Sequence, residues 1–172
     1  METSYLKRHI ARRRAERQQF VTVFSDASHC PRTLAAGWAV WMKHGTPAQT
    51  ERLSGALRDV TDSHKAEVFA LEQALDHIEA SIDFIGKIVV IESDCKGALR
   101  QIEERANRLA ERGARFVKMK WIKGHQGVKC ARSSVNTWCD REAKRNMRSL
   151  RDNIIKLSGL ADSLYSPKAP AS

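Results

Sequence analysis

Three rhythms of apolar residues divide the middle of the chain. Phe20 to Ser25 (FVTVFS) is a short apolar, β-branched run and predicts a strand. Gly37 to Lys43 (GWAVWMK) predicts a second. Glu51 to Val60 predicts a weaker third, joined to the second through His44-Gly45-Thr46-Pro47. Then the period changes. Val68, Leu71, Leu75 and Ile78 recur at helical spacing, with Ser63 as candidate N-cap. Lys87 to Glu92 (KIVVIE) is a continuous apolar run, the pattern of a strand central in a sheet. Leu99, Ile102, Ala106 and Leu109 mark a second helix. Phe116 to Ile122 alternates, with Val117, Met119 and Trp121 on one face and Lys118 and Lys120 on the other, which predicts a half-buried strand. Ser133 or Ser134 then caps a last helix carrying Val135, Trp138, Cys139, Ala143 and Met147. The order β-β-β-α-β-α-β-α predicts an α/β fold. A three-stranded meander followed by α/β alternation builds a mixed sheet with helices on its faces.

The flanks behave differently. Met1 to Gln19 is a basic arm with Lys7, Arg8, Arg12, Arg13, Arg14 and Arg17. It has no apolar core segment, so a secretory signal is not expected. Residues 20–150 read as one domain. Residues 151–172 read as a partly disordered tail ending in Ser166-Pro167-Lys168-Ala169-Pro170. The chain of 172 residues holds no apolar run long enough to span a membrane, so no membrane partner is expected. Its net charge of +10 and pI near 9.8 favour a polyanionic partner. Cys30, Cys95, Cys130 and Cys139 form no CxxC pair and no zinc-type spacing, so they are expected as free thiols in a reducing cytoplasm.

The acids carry the chemistry. Asp26 follows the first strand and Asp94 the apolar one. Glu67 falls in the first turn of the first helix, and Asp140 in the first half of the last. Strand ends and helix starts are where an α/β sheet places ligands. Four carboxylates converging there could not all stay ionised without divalent cations, and oxygen-only ligands favour magnesium or manganese over zinc. Singly, each acid has a structural reading. Asp26 could cap a turn, Asp94 the helix beginning at Lys96, and Glu67 could answer the helix dipole. Asp140 could pair with Arg141 or Lys144. Their joint placement favours a site.

Five segments resemble a known family. Thr22-Val-Phe-Ser-Asp26-Ala-Ser28 resembles the first-strand D-G-S motif of type I ribonuclease H. Lys65-Ala-Glu67-Val-Phe-Ala-Leu71 is similar to its glutamate helix, and Val90-Ile-Glu-Ser-Asp94-Cys95 to its S-D-S strand end. Trp121-Ile-Lys-Gly-His125-Gln-Gly127 resembles the V-K-G-H-x-G segment, and Asn136-Thr-Trp-Cys-Asp140-Arg-Glu-Ala143 the N-x-x-C/A-D-x-x-A helix. The resemblance covers residues 20 to 148 in the expected order. It implies a ribonuclease H-like, five-stranded mixed sheet with helices on both faces. It also implies a monomeric enzyme that hydrolyses the RNA strand of RNA–DNA hybrids with two Mg²⁺ ions, Mn²⁺ being a substitute. In that scheme Asp26 bridges both ions, Asp140 completes one site, and Glu67 and Asp94 hold the other. His125 assists proton transfer or product release. The products carry 5′-phosphate and 3′-hydroxyl ends. Expected nucleic-acid contacts are Ser28, Ser63, His64, Lys96, Arg100 and Asn136, with Arg105, Arg108 and Arg112 as further phosphate holders.

The chain departs from the family pattern in four ways. Ala27 replaces a glycine, and Ser63-His64 replaces an amide-rich pair. His125 lies 15 residues before Asp140, a longer separation than in typical bacterial members. The extra basic helix of many bacterial members is absent. Two other readings compete: a DNA-acting nuclease of the same fold, and a non-catalytic nucleic-acid-binding module. Integrases usually end their acidic triad on a helical Glu, where this chain has Asp140. The presence of all four acids argues against the non-catalytic module.

Overall fold

The computed structural model describes residues 19–123 and 131–165. Its elements are β1 (Phe20–Cys30), β2 (Ala35–His44), β3 (Gln49–Leu57), α1 (Ser63–Ser81), β4 (Ile88–Ser93), α2 (Lys96–Glu111), β5 (Phe116–Trp121) and α3 (Ala131–Tyr165). The predicted order holds throughout. The sheet runs β3-β2-β1-β4-β5. β1 pairs antiparallel with β2 and parallel with β4, so the sheet is mixed, and β1 lies at its centre with β4 beside it.

β1 runs further than the apolar pattern predicts. Asp26, Ser28 and His29 are polar, yet pairing with β2 continues until Cys30 meets Ala35. Asp26, Ser28, His29 and Cys30 face Ala39, Gly37, Ala36 and Ala35, small enough to seat polar neighbours, while the small Ala27 faces Trp38. Asp26 therefore lies inside a strand rather than after one. α1 starts behind Asp62, whose side chain accepts from the Lys65 backbone N–H, and not behind Ser63. Glu67 consequently lies past the first turn. α3 begins at Ala131, before the predicted serine caps. It continues through residues 151–165, which the sequence assigns to the tail. The basic arm before Gln19, and residues 166–172, lie outside the described residues.

The alternation of side chains along each strand feeds two main cores, with a third, small cluster of Ala36, Val60 and Ala66. Val21, Val23, Val40, Met42, Val89, Ile91 and Val117 face α1 and α2, where Leu71, Leu75, Ile78, Ile102 and Leu109 close the larger core. Phe24 and Ala39 face the other way and meet Cys139 and Ala143 of α3. Helices thus cover both faces. At the far end of the β2–β3 hairpin, Glu51 accepts from both His44 and His77, tying β2, β3 and α1 together.

α3 approaches the sheet closely because β2 offers it no side chain at Gly37. A Cβ there would sit far inside van der Waals contact with the Ala143 carbonyl oxygen and the Met147 backbone nitrogen. Both obstacles are backbone, so neither can swing away. Gly37→Ala is expected to destabilise the fold by about 3 kcal/mol. Urea unfolding followed by circular dichroism measures it, and an unchanged midpoint would contradict the packing described.

Candidate active site

Three elements deliver three carboxylates to one point. Asp26 comes from β1, Glu67 from α1 and Asp94 from the residue after β4. One oxygen from each lies within 4.8 Å of the others. Parallel pairing of β1 with β4 sets this geometry by bringing Phe24 opposite Glu92, so both strands reach their acids at the same level. Glu67 is brought onto β1 by a hydrogen bond from the Ala27 N–H to its Oε1, 3.3 Å. Ala27 therefore keeps the backbone contact while replacing the expected glycine.

The cluster is crowded and partly dry. Asp26 is only 6% exposed. Burial, then the charges of Asp94 and Asp140, raise its pKa to about 7. Burial, then Asp26 and Asp94, raise Glu67 to about 9. Glu67 Oε2 is buried and meets no hydrogen-bond donor among the described residues. A buried carboxylate oxygen without a partner is costly in isolation and suited to a cation. The donors are all hard oxygens. This set fits a divalent ion of the magnesium or manganese type.

Asp140 stands beside this triangle on α3. It lies near enough to raise the pKa of Asp26, but Lys144, one turn further on, engages both of its oxygens at 2.7 and 2.9 Å. The pairing that the sequence offers as the structural reading of Asp140 is therefore present, alongside its approach to the cluster. The Lys144 charge also lowers the pKa of Asp26. Lys144 is a residue of the site that motif reading passes over, and its only signal is the i, i+4 spacing from Asp140. Asp94 does not cap α2, where Cys95 is the N-cap residue and makes no side-chain cap bond.

The remaining expected residues fall around the cluster. Ser28 lies two positions beyond Asp26 on β1. Asn136 is buried one turn before Asp140, and its Oδ1 meets no donor among the described residues. Ser63 and His64 open α1, with His64 Nε2 2.8 Å from Gln101 Oε1 and Nδ1 3.8 Å from Cys95 Sγ. Lys96 and Arg100 line a cavity beside Asp94. Arg105, Arg108 and Arg112, offered by the sequence as phosphate holders, instead face carboxylates. Arg105 pairs with Asp76, Arg112 with Glu79 at 3.2 Å and Arg108 with Glu104 at 3.5 Å. His125 and Cys130 lie outside the described residues. Cys30, Cys95 and Cys139 are free thiols. Among the described residues no helix is long and apolar enough to cross a membrane.

Fold and site together define an α/β protein that gathers an all-oxygen carboxylate cluster, able to hold a divalent cation, at the centre of a mixed sheet. Residues 18–148 match the protein-family model described as RNase H, and the chain belongs to that family. Solved structures agree on the fold. The N-terminal RNase H domain of Rv2228c from Mycobacterium tuberculosis superposes with a TM-score of 0.56 at 15% identity, over 78% of this chain and 97% of that one. RNase H1 from the archaeon Halobacterium salinarum gives 0.55 at 16%, over 76% and 98%. LC11-RNase H1, isolated from compost by a metagenomic approach and solved in complex with RNA/DNA hybrid, gives 0.55 at 15%, over 76% and 98%. No curated protein sequence matches the chain.

Proposed function

We propose that this protein is an endoribonuclease that hydrolyses the RNA strand of RNA–DNA hybrids, leaving 5′-phosphate and 3′-hydroxyl ends. The observation that carries the reading is the meeting of Asp26, Glu67 and Asp94 within 4.8 Å, with a buried Glu67 oxygen left unpartnered. Membership of the RNase H family supports it, and so does the hybrid complex of LC11-RNase H1.

Asp26, Glu67, Asp94 and Asp140 would hold two Mg²⁺ ions, with Mn²⁺ as a substitute. Such ions, when bound, supply an activated water and stabilise the leaving 3′ oxygen. The protein side of the work is positional. β1 and β4 fix Asp26 and Asp94 on neighbouring strands, and the Ala27 N–H fixes Glu67. Lys144 holds Asp140 and offsets part of the negative charge. Ser28, Ser63, His64, Lys96, Arg100 and Asn136 are assigned to the nucleic acid, where ribose 2′-hydroxyls distinguish RNA from DNA. His125 is assigned to proton transfer, for which an imidazole titrating near neutrality is suited. The protein is proposed to work as a cytoplasmic monomer.

The test uses end-labelled RNA–DNA hybrid, double-stranded RNA, double-stranded DNA and single-stranded RNA, each with Mg²⁺, Mn²⁺ or EDTA. Expected is metal-dependent cleavage of RNA in the hybrid, at least about 100-fold faster than any other substrate. Cleavage of DNA would replace this reading with a DNA nuclease of the same fold. Binding of the hybrid with no cleavage in either metal would leave a non-catalytic module.

A further inference from the structure

Trp121 ends β5, and it is the most exposed of the four tryptophans at 45%. It is not held there by the core. Its Nε1–H donates to the main-chain oxygen of Asp94, 2.8 Å away, which fixes the ring next to the carboxylate cluster. The Lys96 ammonium rests 4.3 Å above the ring centre. Lys96, Arg100, Leu99, Glu103, Met119 and Trp121 enclose a cavity of about 200 Å³, open to solvent. Among the described residues neither Lys96 nor Arg100 is in an ion pair, unlike the three arginines further along α2.

A half-exposed aromatic ring beside two cations that are in no ion pair among the described residues suits a nucleic-acid backbone, which offers phosphates and sugar faces. The cavity has room for a sugar unit, not for a partner's helix. We propose that Trp121, Lys96 and Arg100 form a nucleotide subsite adjoining the carboxylate cluster. The ring takes the face of a sugar of the bound strand, and Lys96 leaves the ring for a phosphate, with Arg100 on the same strand. The inference rests on the hybrid-cleaving reading.

Steady-state cleavage of a short hybrid by Trp121→Leu, Trp121→Phe and Lys96→Met separates the possibilities, each variant being checked for fold by circular dichroism. Trp121→Leu is expected to raise KM about tenfold with kcat nearly unchanged, because the stacking face is lost. Trp121→Phe keeps a face but loses the bond to Asp94, and is expected to retain most of the affinity. Lys96→Met should reduce the slope of log KM against log salt by about one. In Asp26→Asn protein with Mg²⁺, hybrid should shift tryptophan emission, and the added Trp121→Phe change should remove the shift. If Phe and Leu lower kcat equally and leave KM alone, Trp121 only props Asp94 and the subsite is refuted. An unchanged KM in Trp121→Leu also refutes it. Failure of the wild-type protein to cleave hybrid would instead refute the underlying reading, and the emission titration then decides the subsite separately.

Discussion

Asp26→Asn is expected to lower metal-dependent cleavage of a hybrid by at least about a thousandfold while leaving the fold intact. The two halves of this result have separate causes. Asparagine keeps the shape of the side chain, and burial with the neighbouring acids raises the Asp26 pKa to about 7, so the carboxyl is about half protonated in the metal-free protein at neutral pH. Lys144 pairs with Asp140 rather than with Asp26, so the replacement breaks no direct ion pair. What it removes is the central carboxylate of the cluster, on which both Asp94 and Asp140 act. Circular dichroism and thermal unfolding in EDTA check the fold, and single-turnover cleavage with saturating Mg²⁺ checks the loss. The wild-type melting temperature should rise with Mg²⁺, and the variant should lose that rise. Retained cleavage within tenfold of wild type would remove Asp26 from the centre of the mechanism.

Glu67→Gln should also abolish cleavage, yet make the metal-free protein more stable above neutrality. The sign follows from linkage. The folded-state pKa of Glu67, about 9, lies above its ordinary value of 4.5. Below 4.5 the carboxyl is protonated whether the chain is folded or not, and the group has no effect. As pH rises from there towards 9, the unfolded chain gives up the proton and the folded chain retains it, so stability falls. Glutamine does not titrate and escapes that fall. At pH 8 in EDTA the gain should be on the order of 2 kcal/mol, discounted for coupling to Asp26, or roughly 4–8 °C in melting temperature. At pH 4 the two proteins should melt together. Saturating Mg²⁺ should reverse the order at pH 8, since only wild type presents the full ligand set. A variant no more stable than wild type at pH 8 would mean that Glu67 carries no strain for a cation to relieve.

Much of this was legible in the sequence because the information is local. KIVVIE reads as a strand central in a sheet, and the spacing of Val68, Leu71, Leu75 and Ile78 as one face of a helix. Both survive in β4 and α1. The acids were legible because Asp26 and Asp94 close apolar runs and Glu67 and Asp140 fall early in predicted helices, although Asp26 lies within β1 and Glu67 past the first turn of α1. The errors lie where partners decide. β1 outruns its apolar stretch because β2 supplies a ladder of small residues, and no reading of β1 alone contains that. Asp62 displaces Ser63 as the cap because either could serve and geometry chose the earlier one. The arginines of α2 look like a basic stripe in one dimension, but Asp76 and Glu79 reach them from α1, beyond any local window. Strict alternation places Trp121 on the same face of β5 as Val117 and Met119, and the end of the strand leaves its ring half exposed.

The division into two cores has a consequence for how the site comes apart. Asp26, Glu67 and Asp94 are carried by β1, α1 and β4, all rooted in the larger core. Asp140 alone rides on α3, which is held by the small cluster of Phe24, Ala39, Cys139 and Ala143 and by the close approach at Gly37. The larger core and the α3 cluster are therefore packed on opposite faces of the sheet, and native-state openings need not loosen both together. The carboxylate cluster is in that sense assembled from two sides. Three of its acids share the packing of one face, and the fourth depends on how α3 seats against the other.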